Sequence, residues 1–527
     1  MRIATGLHFL TLCALATLGR DALAAASAPP PPPPAPPAGV VDTNPASVPT
    51  KLVPAPPSQA PAQKPAPKPV FGLTTLRILA DKGLISPEEY EAAKKDLNDL
   101  AAARAESSPT ITFAGWKTTL YGYVQADMMY HSTQSFPDFS SNFPVARPDT
   151  YAGQHGRFQA TIRDTRIGLR IQAPPLPNLR VSGVIETDFL GPTGTVGSTI
   201  SENGFYVNAN LRIRHAFLKM ETPIVDVMFG HYWDLFGWQP HYFPAIVQWP
   251  GLVGELFSRT IQLRLSHTFK TEPVNVEIAA AAVRPPARDS AVPEGQAGVR
   301  LVFNKWTGWH TGYLTSTALT AASIGLSGDL RYFRVPEFAE KPLGSRTATG
   351  MGFAANAYLP IIPAKKDKKD NSLSLVGEFV TGRSINDMYT GLNGGVSHAA
   401  LPNPTGATPA PVYTSTVDAG LAVYDANGEL RLPRWTTFLV GVEYYPPFMG
   451  GRVALFANVS RSQLHDAGSY PNPAKVRDHE SFYEVGFFVD PSPAVRFGLD
   501  YAHIDDVYAD GVKASNEAAQ LTGFLFF

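Results

Sequence analysis

From about residue 115 to residue 527 apolar and polar positions alternate with a period of two. Leu120, Gly122, Val124, Ala126 and Met128 point one way; Tyr121, Tyr123, Gln125 and Asp127 point the other. Ile167, Leu169 and Ile171 likewise oppose Arg166, Gly168, Arg170 and Gln172, and Leu179, Val181, Gly183, Ile185 and Phe189 oppose Arg180, Ser182, Glu186 and Asp188. The pattern returns at 260–266, 452–460 and 495–501. Successive side chains of a strand face opposite sides, so each segment has a clean apolar face and a charged one. The segments run ~9–12 residues, the length a tilted strand needs to cross a bilayer, and longer than the strands of a soluble sandwich. The pattern predicts an all-β protein, a transmembrane antiparallel β-barrel of about 16 strands (14 to 18, because 211–232 and 308–335 divide poorly) over 115–527. Short proline-rich connections at 174–178 and 446–450 predict periplasmic turns, and long polar ones at 132–156, 190–210, 384–434 and 464–479 predict external loops. The paired aromatics Tyr444-Tyr445 and Phe487-Phe488 read as interfacial girdles.

The front of the chain has other periods. Arg2, the apolar stretch Leu7 to Leu18 and Ala22-Leu23-Ala24 form a secretory signal peptide over 1–24, cut after Ala24 or Ala26. The only cysteine, Cys13, lies inside it, so the mature chain holds no thiol. Residues 29–69 carry 17 prolines, which favour extended polyproline II. They make 25–70 a periplasmic spacer, with a tether to peptidoglycan or a partner as the alternative. Over 71–108 the pattern turns helical. Ser86-Pro87-Glu88-Glu89 starts a helix with a capping box, and Tyr90, Ala93, Leu97 and Leu100 make a narrow apolar seam. That seam fits a coiled coil between subunits, docking on the barrel mouth, or a plain linker.

Charge narrows the function. Lys and Arg number 44 against 45 Asp and Glu, which argues against a nucleic-acid partner. Charged residues make up only 17%, below the ~25% of soluble proteins. No enzyme signature is present. Gly350-Met351-Gly352 imitates a dinucleotide fingerprint but sits inside an alternating strand, and no cofactor is expected. The run Lys365 to Asp370 reads as a solvated turn. From Trp116 onward there are 23 Arg and 11 Lys. Arg166, Arg170, Arg264 and Arg300 occupy the polar phase, with Arg212 and Arg214 nearby. Asp127, Glu186 and Asp188 share that face, as do Glu277 and Glu378. A planar, permanently charged guanidinium suits anions, so these residues are expected to line and select in the lumen, or to brace its wall as Arg–carboxylate pairs. Residues 233–258 carry Trp233, Phe236, Trp238, Tyr242, Phe243 and Trp249 with few charges. Such a loop is costly in water; it is expected to fold inward as a constriction, or to cover a subunit interface. The last strand alternates Leu521, Gly523, Leu525 and Phe527, resembling the signal read by the barrel-assembly machinery.

Thr165-Arg166-Ile167-Gly168-Leu169-Arg170, Glu186-Thr187-Asp188-Phe189, Leu211-Arg212-Ile213-Arg214-His215-Ala216-Phe217 and Phe229-Gly230-His231-Tyr232-Trp233-Asp234-Leu235-Phe236 together resemble the DcaP-like trimeric porins of Gram-negative outer membranes. Leu79 to Glu89 is similar to the leader of phosphate-selective porins. The resemblance implies a 16-stranded homotrimeric barrel in outer-membrane lipid that passes small anionic solutes. The long segment 384–434 departs from it. The expected function is a passive, non-enzymatic outer-membrane channel for small polar or anionic solutes. A barrel scaffold for adhesion or envelope anchoring is the alternative.

Overall fold

The computed structural model describes Ser86 and residues 109–138, 143–191, 209–247, 252–312, 316–365, 368–389, 396 and 398–527. The expected signal peptide, the spacer and all but Ser86 of the helical segment lie outside those residues. Sixteen antiparallel strands form one closed barrel. They are β1 (Trp116–His131), β2 (Arg157–Thr161 and Arg166–Gln172), β3 (Arg180–Gly191), β4 (Asn210–Glu221), β5 (Asp226–Trp233), β6 (Arg259–Phe269), β7 (Val274–Val283) and β8 (Glu294–Gly312). The second half is β9 (Ser316–Pro336), β10 (Ser345–Ile362), β11 (Ser372–Arg383), β12 (Arg434–Tyr445), β13 (Val453–Leu464), β14 (Arg477–Ser492), β15 (Val495–Tyr508) and β16 (Lys513–Phe526).

Each strand pairs with its chain neighbours, and β16 returns to β1, from Tyr123↔Phe526 to His131↔Ala518. Gly122 and Phe527 exchange two backbone hydrogen bonds of 3.1 Å at this seam. The two pieces of β2 both pair with β1 and are one strand broken at 162–165. There the Gln125 amide donates to Thr165 Oγ1 at 3.1 Å. Below the seam the short strand Thr110–Phe113 takes over the edge of β1. Up-and-down order puts 132–156, 234–258 and 384–433 at one end, and the short connections 222–225, 270–273 and 493–494 at the other. Outer-membrane barrels keep short turns in the periplasm and long loops outside.

The two faces invert the rule for soluble proteins. Leu120, Val124, Met128, Ile167, Leu169, Ile261 and Leu263 stand exposed, where hydrocarbon covers them. Gln125, Asp127, Arg166, Glu186 and Asp188 are buried inside. Alternation also corrects the girdle expectation. Phe487 faces out, whereas its neighbour Phe488, like Tyr445, is buried inside the barrel, since adjacent strand residues cannot share a face. What buries the inner wall is chain that has folded into the lumen, chiefly 234–258.

Candidate functional site: a loop-filled lumen and a cationic mouth

The inward segment is pinned at its neck and then along the wall. The Asp234 amide donates to the Ser258 carbonyl at 3.1 Å, and the Ser258 amide donates to Gln239 Oε1 at 2.8 Å. The amides of Leu235 and Phe236 both donate to Gln296 Oε1 of β8, at 2.9 and 3.0 Å. The Gly237 amide donates to Ser327 Oγ of β9 at 2.8 Å, and Trp238 Nε1 to the Leu326 carbonyl at 3.0 Å. Further along, Asn458 Nδ2 of β13 donates to the Ala245 carbonyl at 2.8 Å. Ser460 of the same strand bonds the Val253 carbonyl. On the return, the Leu256 amide donates to Glu378 Oε1 of β11 at 2.9 Å. The Phe257 amide reaches the Met388 carbonyl at 2.8 Å, so the start of 384–433 also dips inward to hold this loop.

Glycines on the inner phase make room for it. A Cβ on Gly298 or Gly325 would lie 2.7 or 2.8 Å from the Trp238 ring. One on Gly352 would meet Phe236 at 2.8 Å, one on Gly441 Pro244 at 2.7 Å, and one on Gly498 Val247 at 2.8 Å. Real Cβ contacts do not come that close, so the seat depends on glycine at these places. Gly237 itself turns at φ +77°, in the left-handed region that favours glycine. The segment's apolar side chains are then fully enclosed: Leu235, Phe236, Trp238, Ile246, Val247 and Leu256. Trp233 meets Phe243 and Phe257 edge-on, at 4.9 and 4.7 Å between ring centres. Tyr242 is buried against the inner wall beside Gly325. Trp249 lies outside the described residues. Burial, with Glu378 near, raises the Glu255 carboxyl well above the ordinary carboxylate range, and its Oε1 has no hydrogen-bond partner.

The opposite wall carries charge as pairs. Glu186 Oε1 accepts from Arg214 Nε at 2.8 Å and lies 3.5 Å from Arg166 Nε, while Tyr121 donates to Oε2 at 3.0 Å. Asp188 accepts from Arg212 at 3.0 and 2.6 Å and from Arg214 Nη1 at 3.2 Å. Three arginines therefore share two carboxylates. Arg300 pairs with Glu277 at 2.7 Å. Arg264 has no carboxylate partner among the described residues; its Nε donates to Gln262 Oε1 at 3.0 Å, and its Nη2 to the Trp233 carbonyl. Arg170 is exposed, lies over the Tyr121 ring at 5.2 Å and has no ion pair among the described residues. Asp127 is buried, and both Gln125 and Gln520 donate to it.

At the short-turn end a cavity of about 1000 Å³ opens. Arg166, Arg170, Lys368, Lys369, Arg452 and Arg496 line it against Glu186, Asp370 and Asp490, six cations to three anions. Arg496 is tied to Asp490 at 2.7 Å. Sequence reasoning named Arg166, Arg170 and Glu186 of this set as site residues and put Arg452 and Arg496 on the polar phase of the runs 452–460 and 495–501. Lys368 and Lys369 sit in a turn, where period-two phase carries no information, so part of the charge run read as a solvated turn lines a mouth as well.

A search of protein families and a search of curated proteins each return no match. Solved structures do match. The chain is similar to the outer membrane channel DcaP of Acinetobacter baumannii at 17% identity and TM-score 0.56, over 80% of this chain and 100% of that one. Its fold is that of a porin. The anion-selective porin from Comamonas acidovorans is similar at 10% identity and TM-score 0.42, over 78% of this chain and 100% of that porin. The trimer form of OmpT of Vibrio cholerae is similar at 10% identity and TM-score 0.44, over 78% and 100%. The charged groups just described lie on the inner side of this porin-fold barrel.

Proposed function

We propose that the chain is an outer-membrane channel, trimeric, that passes small anionic solutes by diffusion. The observation that carries this reading is the cationic mouth beside Arg166 and Arg170, with six positive side chains against three negative. Low-dielectric walls focus the field of such a cluster and raise the local anion concentration. Segment 234–258 narrows the way past it, so solutes pass close to the guanidinium groups. No bond is made or broken in transit.

The test is single-channel recording in planar bilayers under a KCl gradient. The native protein is expected to give stable steps and an anion-selective reversal potential. Replacing Arg166 and Arg170 with Ala should move that potential toward cations at low salt. The shift should shrink as salt rises and the Debye length falls from ~10 Å at 0.1 M to ~3 Å at 1 M. An unchanged potential would reduce the two arginines to wall braces. Complete electrical silence would favour the scaffold reading.

A further inference from the structure

The lipid side of the barrel carries a groove that conduction does not need. It has a volume of about 380 Å³ and lies at the long-loop end, between the outer faces of β5 to β7 and the connection 284–293. Phe229, Ile261, Leu263 and Ala282 line it from the wall, and Pro285, Val292 and Pro293 from the connection. Its depth has a cause in the sequence. The outward residues of β7 shrink toward this end, from Ile278 to Ala280 and Ala282. Ala282 pairs across to Gly295 of β8, where an added Cβ would meet nothing within 4 Å. Beyond it the exposed Leu330 of β9, opposite Gly295, stands up again. The floor is thus low between two raised apolar rims.

The mouth of the groove is cationic. Arg284 lines it, is exposed, and is fixed by its backbone amide, which donates to the Ile261 carbonyl at 2.9 Å. Its guanidinium makes no ion pair among the described residues. The same connection carries Arg288 against one acid, Asp289. An open apolar trough bordered by a guanidinium matches a molecule with an apolar chain and an anionic head. Arginine binds phosphate through a planar fork.

We propose that this groove holds one acyl chain of a phosphorylated glycolipid of the outer leaflet, with Arg284 on its phosphate and Arg288 beside it. The test is native mass spectrometry of the full chain in detergent, offered lipid A, dephosphorylated lipid A and phosphatidylcholine in turn. Lipid A should be retained several-fold better than the other two. Arg284→Ala should bring lipid A down to the level of its dephosphorylated form, with the heat-modifiable folded band unchanged. Ala282→Phe, which fills the floor, should lower retention of both forms. Equal retention of all three lipids would overturn the proposal, as would no effect of Arg284→Ala. If inorganic phosphate displaced lipid A at equal concentration, the site would be an anion site rather than a lipid groove. If Ala282→Phe split the oligomer while lipid retention stayed the same, the groove would be a contact between copies, and the proposal would fail.

Discussion

Along β2 to β4 the inner wall holds its charges as contacts between strands, with Arg166, Arg212 and Arg214 shared by Glu186 and Asp188. Along β8 to β15 ion pairs such as Arg331 with Glu294 at 2.9 Å also occur, but there the wall adds glycines and polar groups that are answered by a loop. Gln296, Ser327, Glu378 and Asn458 all bond the backbone of 234–258. The difference is in what satisfies a polar group away from water. Paired ions answer each other without a covering chain, even where, as at Arg214 and Asp188, they are fully buried. Loop-seated groups need a covering chain, and the cover closes that half of the lumen. The glycine side is therefore where the loop rests, and on the paired side Arg166 and Arg170 border the cavity at the short-turn end.

Breaking the paired side should cost most. Arg214→Leu leaves Glu186 and Asp188 in a buried site with one partner fewer. The loss of one member of a buried pair costs ~3–5 kcal/mol, read as a lower urea midpoint for the folded, heat-modifiable band. On the other side, Gly441→Leu drives a side chain into Pro244, 2.7 Å from the new Cβ. Overpacking of this kind costs ~1–3 kcal/mol, and here conductance should rise as well, because the loop is displaced. Lys368→Ala with Lys369→Ala sharpens the reading of the mouth. It should shift the reversal potential in the same direction as the double arginine change but by less, since these lysines sit on a rim turn. A larger shift would move the selective point out of the lumen.

The smallest effect concerns pH. Because burial raises the Glu255 carboxyl, its neutral form is the seated one. That contribution is complete below the ordinary carboxylate range and is lost as pH rises through the raised value. Conductance should climb as pH rises above the ordinary carboxylate range, and Glu255→Gln should abolish the climb. A climb that persists in Glu255→Gln would place the titration elsewhere.

The barrel was legible because strand phase is a local property. Leu120 and Tyr121 declare their faces without knowledge of any partner strand, and the length of each alternating run names the membrane. The apolar composition of 233–258 was enough to expect inward folding. Its seats were not legible, since Gly298, Gly352 and Gly441 matter only through a ring or a proline that arrives from far away in the chain. Gly352 was visible merely as part of a false dinucleotide fingerprint. A glycine on the inner phase of successive strands is the signal that would have found them. The ion pairs depended on register. A bulge between Glu186 and Thr187 sets which arginine of β4 meets which acid, and no single strand records it. The paired aromatics misled for a related reason, because adjacency in sequence suggested one belt while the pleat sends Phe487 and Phe488 apart.

The seating of 234–258 also sets an order in time. Its carbonyls at Ala245 and Val253 are held by Asn458 and Ser460, more than 200 positions downstream. None of those partners exists as a strand when the segment itself has emerged. Contacts so distant form late, after the cost of closing long loops of chain has been met. The loop can therefore lock into its seat only once β13 stands in the wall, so the narrowing of the lumen is completed by the second half of the chain.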